Sequence, residues 1–101
     1  MTLALSTWNA SRNIRSEINA AELHAVFLPF GPIEFCNFIG QETFVPSLTG
    51  LITVRSALIE YNAASSTAEC AVNMNGFSLG GVNLMVEAID STIATVFKGT
   101  S

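Results

Sequence analysis

The chain has 101 residues, enough for one domain with one modest core. Half of the residues are hydrophobic but only 12% are charged, about half the usual share, so neutral or apolar surface is left for a binding face or partner to cover. The net charge is −4 and the cations are Arg12, Arg15, Arg55 and Lys98, too few and too scattered for the basic stripe of a dedicated nucleic-acid binder.

Thr2 to Trp8, TLALSTW, alternates Leu3 and Leu5 with small residues and reads as a strand with one buried face. Asn9 to Ser16 is polar and reads as a loop. Asn19 opens the first helix, with Glu22 three residues on as a capping box and Ile18 with Leu23 as a hydrophobic staple. Leu23, Val26, Phe27 and Phe30 give that helix an apolar stripe; Pro29 ends it and Gly31-Pro32 turns the chain.

Ile33 to Ile39 is a second strand, followed by a long loop from Gly40 to Gly50. Leu51 to Tyr61, LITVRSALIEY, is the longest β-favouring run and the central strand. Ser65 or Ser66 caps a second helix reaching about Met74, whose small residues Ala68, Cys70 and Ala71 let it lie close to a sheet. Asn75-Gly76 ends it, and Gly80-Gly81 makes a further turn. Val82 to Ile89 is a fourth strand with Leu84 and Val86 on one face. Residues 91–101 read as a tail after a domain of residues 1–90, but Ile93, Val96 and Phe97 are too apolar for an inert linker and suit a segment folded over the sheet.

The order β-α-β-β-α-β predicts an α+β, ferredoxin-like sandwich: a four-stranded antiparallel sheet with two helices on one face. The other face is then the natural binding platform. The residues resemble an RNA recognition motif (RRM) domain in three places. Glu22 to Ile33, ELHAVFLPFGPI, is similar to the family's first helix and its exit. Val54 to Tyr61, VRSALIEY, takes the place of its central octapeptide. Met74 to Ala88, MNGFSLGGVNLMVEA, is similar to its helix exit, turn and fourth strand.

The resemblance implies base-stacking rings on the open sheet face. At the third and fifth octapeptide positions this chain has Ser56 and Leu58, and at the first two Val54 and Arg55. Ala57, Ile59 and Tyr61 alternate toward the helices. Two registers fit the first strand. Leu3 to Trp8 buries a clean apolar face. Asn9 to Ile14 fits the family's loop length but turns polar Asn9 and Ser11 inward. The first is preferred, because an unpaired buried polar group costs about 1–3 kcal/mol. Either register puts alanine, Ala4 or Ala10, at the first strand's stacking position.

The sheet-face binding candidates are therefore Ser56, Leu58, Phe35, Met85 and Arg55. Two readings follow. One is a non-enzymatic RRM-like module for protein–protein interaction or assembly within an RNA-processing complex, self-association included. The other is a weak single-stranded RNA binder using Arg55, Arg12, Arg15 and loop residues. His24 is the sole histidine, no carboxylate pair has catalytic spacing, and Cys36 and Cys70 make no CxxC, so the chain reads as neither enzyme nor metal site and calls for no cofactor. No run approaches the roughly 18 apolar residues of a membrane span. Met1 to Trp8 lacks the length and basic flank of a secretory signal, which points to an intracellular protein, nuclear or cytoplasmic.

Overall fold

The computed structural model describes residues 6–99. In chain order they form β1 (Trp8–Arg15), α1 (Ala20–Phe27), a 3₁₀ turn (Leu28–Phe30), β2 (Ile33–Ser47), β3 (Gly50–Tyr61), α2 (Ala64–Met74), β4 (Ser78–Leu79), β5 (Val82–Asn83), β6 (Met85–Ile89) and α3 (Ser91–Lys98). Strands β2, β3, β1 and β6 lie side by side, in that order, in one antiparallel sheet; β4 and β5 make a small separate hairpin. The expected ferredoxin-like sandwich is present, with a third helix added.

α1 starts as its sequence dictates. Asn19 Oδ1 accepts from the Glu22 amide at 2.8 Å, and Glu22 Oε1 accepts from the Asn19 amide at 3.0 Å, satisfying two helix-end donors reciprocally. Pro29 falls in the 3₁₀ turn, where regular helix has already ended. α2 begins earlier than expected and is not capped by Ser65 or Ser66: Ala63 is its N-cap and offers no side-chain bond. Ser66 is instead buried against Gly31, where a Cβ would lie 2.3 Å from its Oγ. Glycine there lets the α1 exit and the start of α2 meet.

The main core lies between the sheet and α1 with α2. Leu23 and Phe27 from α1 and Cys70 and Met74 from α2 pack on Ile14, Phe38, Ala57, Ile59, Tyr61, Leu84 and Val86. Tyr61 is a core ring, as expected, and its buried hydroxyl donates to the Phe27 carbonyl at 2.5 Å.

The first strand corrects the preferred register. β1 runs over Trp8–Arg15, so the polar stretch is the strand, and Asn9 and Ser11 face the helices fully buried. Thr2 to Leu5 lie outside the described residues. Asn9 offsets its burial by donating from Nδ2 to the Thr67 and Glu87 carbonyls at 3.2 and 3.3 Å. Asn9 Oδ1, Ser11 Oγ and Thr67 Oγ1 have no hydrogen-bond partner among the described residues. A bulge then restores apolar alternation. Ser11 pairs with Ala57 but Ile14 with Arg55, so β1 carries one extra residue there, and Asn13 takes the left-handed conformation at φ 64°. The inward series becomes Asn9, Ser11, Ile14.

The loop expected over Gly40 to Gly50 is also corrected. β2 continues to Ser47 and pairs with β3 down to Gly50, making a long hairpin with Leu48 and Thr49 at its tip. Gly40 and Pro46 read as breakers but are accommodated. Gly40, at φ 69°, opens an irregularity between Ile39 and Thr43. Pro46 lies on the sheet's edge strand, where no neighbour needs its missing amide.

Candidate interaction face of the sheet

Alternation sends Trp8, Ala10 and Arg12 of β1, Ser56, Leu58 and Glu60 of β3, and Met85, Glu87 and Ile89 of β6 to the face away from α1 and α2. Ala10 stands directly opposite Leu58, so two of the three positions where the resemblance implies stacking rings are neighbours, and neither carries one. The third, Ser56, faces Ile39 of β2.

This face is half covered. The segment read as a tail forms α3, whose Asp90 N-cap accepts from the Ile93 amide at 2.9 Å. Ala94 is fully buried in a second apolar cluster with Trp8, Ala10, Ile39, Leu58 and Ile89, and Phe97 and Phe35 pack at its margin. Of the three tail residues singled out from sequence, Phe97 meets the sheet, while Ile93 and Val96 are largely exposed. Helical periodicity explains the exchange: Ala94 and Phe97 are three apart and share a side, and Ile93 with Val96 turn outward.

The five candidates therefore separate. Leu58 is 0% exposed, sealed beneath α3. Phe35 is half-buried with its ring centroid 5.7 Å from that of Trp8, and Lys98 Nζ stands 4.5 Å from the Phe35 centroid and 5.9 Å from that of Trp8. Trp8 and Phe35 thus gather at one end of this face, under a lysine. Ser56 is partly exposed, and Met85 is 52% exposed beyond the reach of α3. Arg55 does not join them. It pairs across from core-facing Ile14, and its guanidinium carbon lies 4.1 Å over the ring of Phe38, on the helix side of the sheet.

Between α3 and the β2 irregularity an open cleft of about 420 Å³ remains. Ala10, Ile39 and Ser56 line it with Phe97 and Val96, and Arg12 and Gln41 complete its rim. Small residues where rings would stand leave this space. Its cation is partly neutralised, since Arg12 lies 3.5 Å from Glu87. The other cations are engaged too: Arg15 bonds Glu17 at 2.8 Å and the Gly80 carbonyl at 2.9 Å, Arg55 stacks on Phe38, and Lys98 covers Phe35.

The remaining reactive groups form no site. His24 is exposed on α1, and no group of three or more potential metal ligands occurs among the described residues. Burial pushes the Cys36 and Cys70 thiols up to about 11, so both are protonated at neutral pH and neither is a ready nucleophile. Burial also raises the Tyr61 hydroxyl, with a hydrogen bond to Cys70 adding to the effect. No helix among the described residues is long and apolar enough to cross a membrane.

Sequence reasoning missed Trp8 and Ala94. Trp8 became legible only with β1 in its observed register, two residues before Ala10 on the same face. For α3 the signal was Asp90 followed at its third position by Ile93, an N-cap pattern at the start of a short apolar stripe.

No family model matches the sequence, and no curated protein matches it significantly. Solved structures do match. The Rna15 RRM with bound RNA (GU) superposes with a TM-score of 0.69 at 18% identity, covering 93% of this chain and 98% of that one. The Mip6 RRM3 domain gives 0.69 at 14% identity, covering 85% and 95%. An Sxl-lethal protein/RNA complex gives 0.68 at 19% identity, covering 83% of this chain and 47% of that one. The chain has the RRM fold, in a divergent sequence, with α3 laid across the sheet face opposite α1 and α2.

Proposed function

We propose that this chain is a non-enzymatic, intracellular RRM-fold module for protein–protein interaction or assembly in RNA processing, with RNA at most a weak ligand. One observation carries the reading: where a base-reading sheet needs accessible rings, Leu58 is sealed under α3 and Ala10 and Ser56 offer no ring. Each stacked base is worth about 1–3 kcal/mol, so losing three stacks removes several orders of magnitude in affinity. Phosphate contacts do not compensate, because the net charge is −4 and all four cations are already engaged.

A second reading, a weak RNA binder, is favoured by the cleft over Ala10 and Ser56 and by the structural neighbours solved with RNA. Its cation is Arg12 rather than Arg55, which lies on the opposite face. A fluorescence titration with random-sequence single-stranded RNA at low salt separates the two. The interaction-module reading expects no saturation below about 10 μM. Affinity tighter than about 1 μM, falling steeply with added salt, overturns it.

A further inference from the structure

Of the eight asparagines in the chain, Asn75 alone precedes a glycine. That pairing has a chemistry of its own. The backbone nitrogen after an asparagine can attack the side-chain amide carbon and close a five-membered ring, and glycine, having no Cβ, obstructs the approach least. The fold puts Asn75-Gly76 at the exit of α2, with Asn75 as its C-cap and exposed to solvent. Both reacting groups are held there. Asn75 Oδ1 accepts from the Val86 amide at 3.1 Å, and the Gly76 N–H donates to the Leu84 carbonyl at 2.7 Å. Asn75 sits at ψ 120°, which turns the Gly76 nitrogen away from the side chain, so the ring closes only after rotation about the Cα–C bond. The same hydrogen bonds tie the α2 exit to the segment entering β6. Asn75 also lines a small cleft of about 210 Å³ with Arg12, Met85 and Glu87.

We propose that Asn75 is a deamidation site gated by local opening of the junction between α2 and β6. Once the Gly76–Leu84 and Val86–Asn75 hydrogen bonds break, the Gly76 nitrogen gives its proton to solvent base and attacks Asn75 Cγ. A C–N bond forms, the Cγ–Nδ2 bond breaks, and Nδ2 takes up a proton and leaves as ammonia. Water then adds to either ring carbonyl and opens the ring, which leaves aspartate or isoaspartate at this position. The closed junction blocks the first step, and its place beyond the last helical turn makes opening local. The change is one-way. Aspartate keeps an acceptor for the Val86 amide. Isoaspartate routes the main chain through its Cβ and carries the former backbone carbonyl as its carboxylate, so the tether to β6 cannot reform. Either product adds a negative charge to the cleft where Arg12 already lies 3.5 Å from Glu87, at the margin of the interaction face. The inference is independent of which partner that face takes.

Incubating the full chain at mildly alkaline pH, folded in buffer or unfolded in guanidinium, tests this, with peptide mass spectrometry and isoaspartate detection as the readout. In buffer, Asn75 is expected to deamidate before any other asparagine, mostly to isoaspartate, and at least about tenfold more slowly than in guanidinium. The rate in buffer is expected to follow hydrogen exchange of the Gly76 amide across conditions, because one opening exposes the same nitrogen to both. Asn75→Gln is expected to stop the reaction, since the larger ring it requires closes far more slowly. The separated isoaspartate form is expected to melt a few degrees below Asn75→Asp, which keeps the acceptor for Val86. The wild-type comparison needs no variant, so it stands even where Asn75→Gln alters folding. Earlier deamidation at another asparagine, equal rates in buffer and guanidinium, or a folded chain that never reacts while the unfolded chain does overturns the inference. An isoaspartate form that melts together with Asn75→Asp overturns the loss of the tether.

Discussion

The two faces of the sheet have partly exchanged their chemistry. On the helix side, where apolar residues belong, Asn9, Ser11 and Thr67 are buried. On the opposite side, where a binding platform would be polar or aromatic and open, Leu58, Trp8, Ile39, Ile89 and Ala94 form a second closed cluster. The sheet is therefore the middle layer of three over much of its area. Burial, which usually tells the packed face from the working face, does not distinguish them here. The open parts lie at the margins: the cleft by Ser56, the exposed Met85, and the projecting hairpin.

Neighbouring residues of β3 provide the sharpest way to break this comparison. Ile59 and Leu58 are each fully buried, on opposite faces. Ile59→Ala is expected to lower unfolding free energy by about 2–5 kcal/mol in urea titration, and Leu58→Ala by an amount in the same range. If Leu58→Ala stays within about 0.5 kcal/mol of wild type, α3 is not a structural layer and the comparison fails. Next in size is the hydroxyl that ties the sheet to α1. Tyr61→Phe leaves the buried Phe27 carbonyl without its partner and is expected to lose about 1–3 kcal/mol in the same titration.

A smaller effect probes the outer layer alone. Asp90→Ala removes the α3 cap and is expected to lower stability by about 0.5–2 kcal/mol while amides of the main core keep their order of exchange protection. Early exchange of core amides in that variant would mean the two layers are one cooperative unit. The smallest effect has the opposite sign. Ser11→Ala deletes a buried hydroxyl without a partner among the described residues, so thermal unfolding is expected to stay unchanged or rise by a few degrees. A clear fall would show that Ser11 is hydrogen-bonded in solution.

The sequence was most legible where local chemistry and global packing agree. The Asn19–Glu22 box, the Leu23 and Phe27 stripe, and the Ala57, Ile59 and Tyr61 alternation all follow from short-range rules and all hold. It was least legible where two rules conflict. Burial of polar groups argued against β1 over Asn9 to Ile14, yet Asn9 finds two backbone acceptors on α2 and β6 that no local pattern announces. The bulge at Asn13 then hides the strand further by shifting Ile14 out of simple alternation. Proline and glycine concealed the hairpin, because their effect depends on whether a strand lies at an edge, which is a property of the whole sheet. Of the candidate face, the absence of rings was readable from Ala10, Ser56 and Leu58. The placement of Arg55 was readable too: it stands two residues before Ala57 on the same strand, so the alternation that turns Ala57, Ile59 and Tyr61 inward also sends Arg55 to the helix side.

The join between β6 and α3 has a mechanical consequence. β6 ends at Ile89 and α3 begins at Ser91, so Asp90 alone connects them, and its carboxylate is already committed to the Ile93 amide. A swinging cover needs slack, and here one residue's pair of dihedrals is all there is. Ile89, immediately before the join, is itself part of the cluster beneath the helix. Peeling α3 away therefore pulls on the strand end it grows from, and exposure of this face is coupled to fraying of the sheet. The helix behaves as a riveted plate rather than a door, and a partner that needs the surface beneath must supply the free energy to tear it.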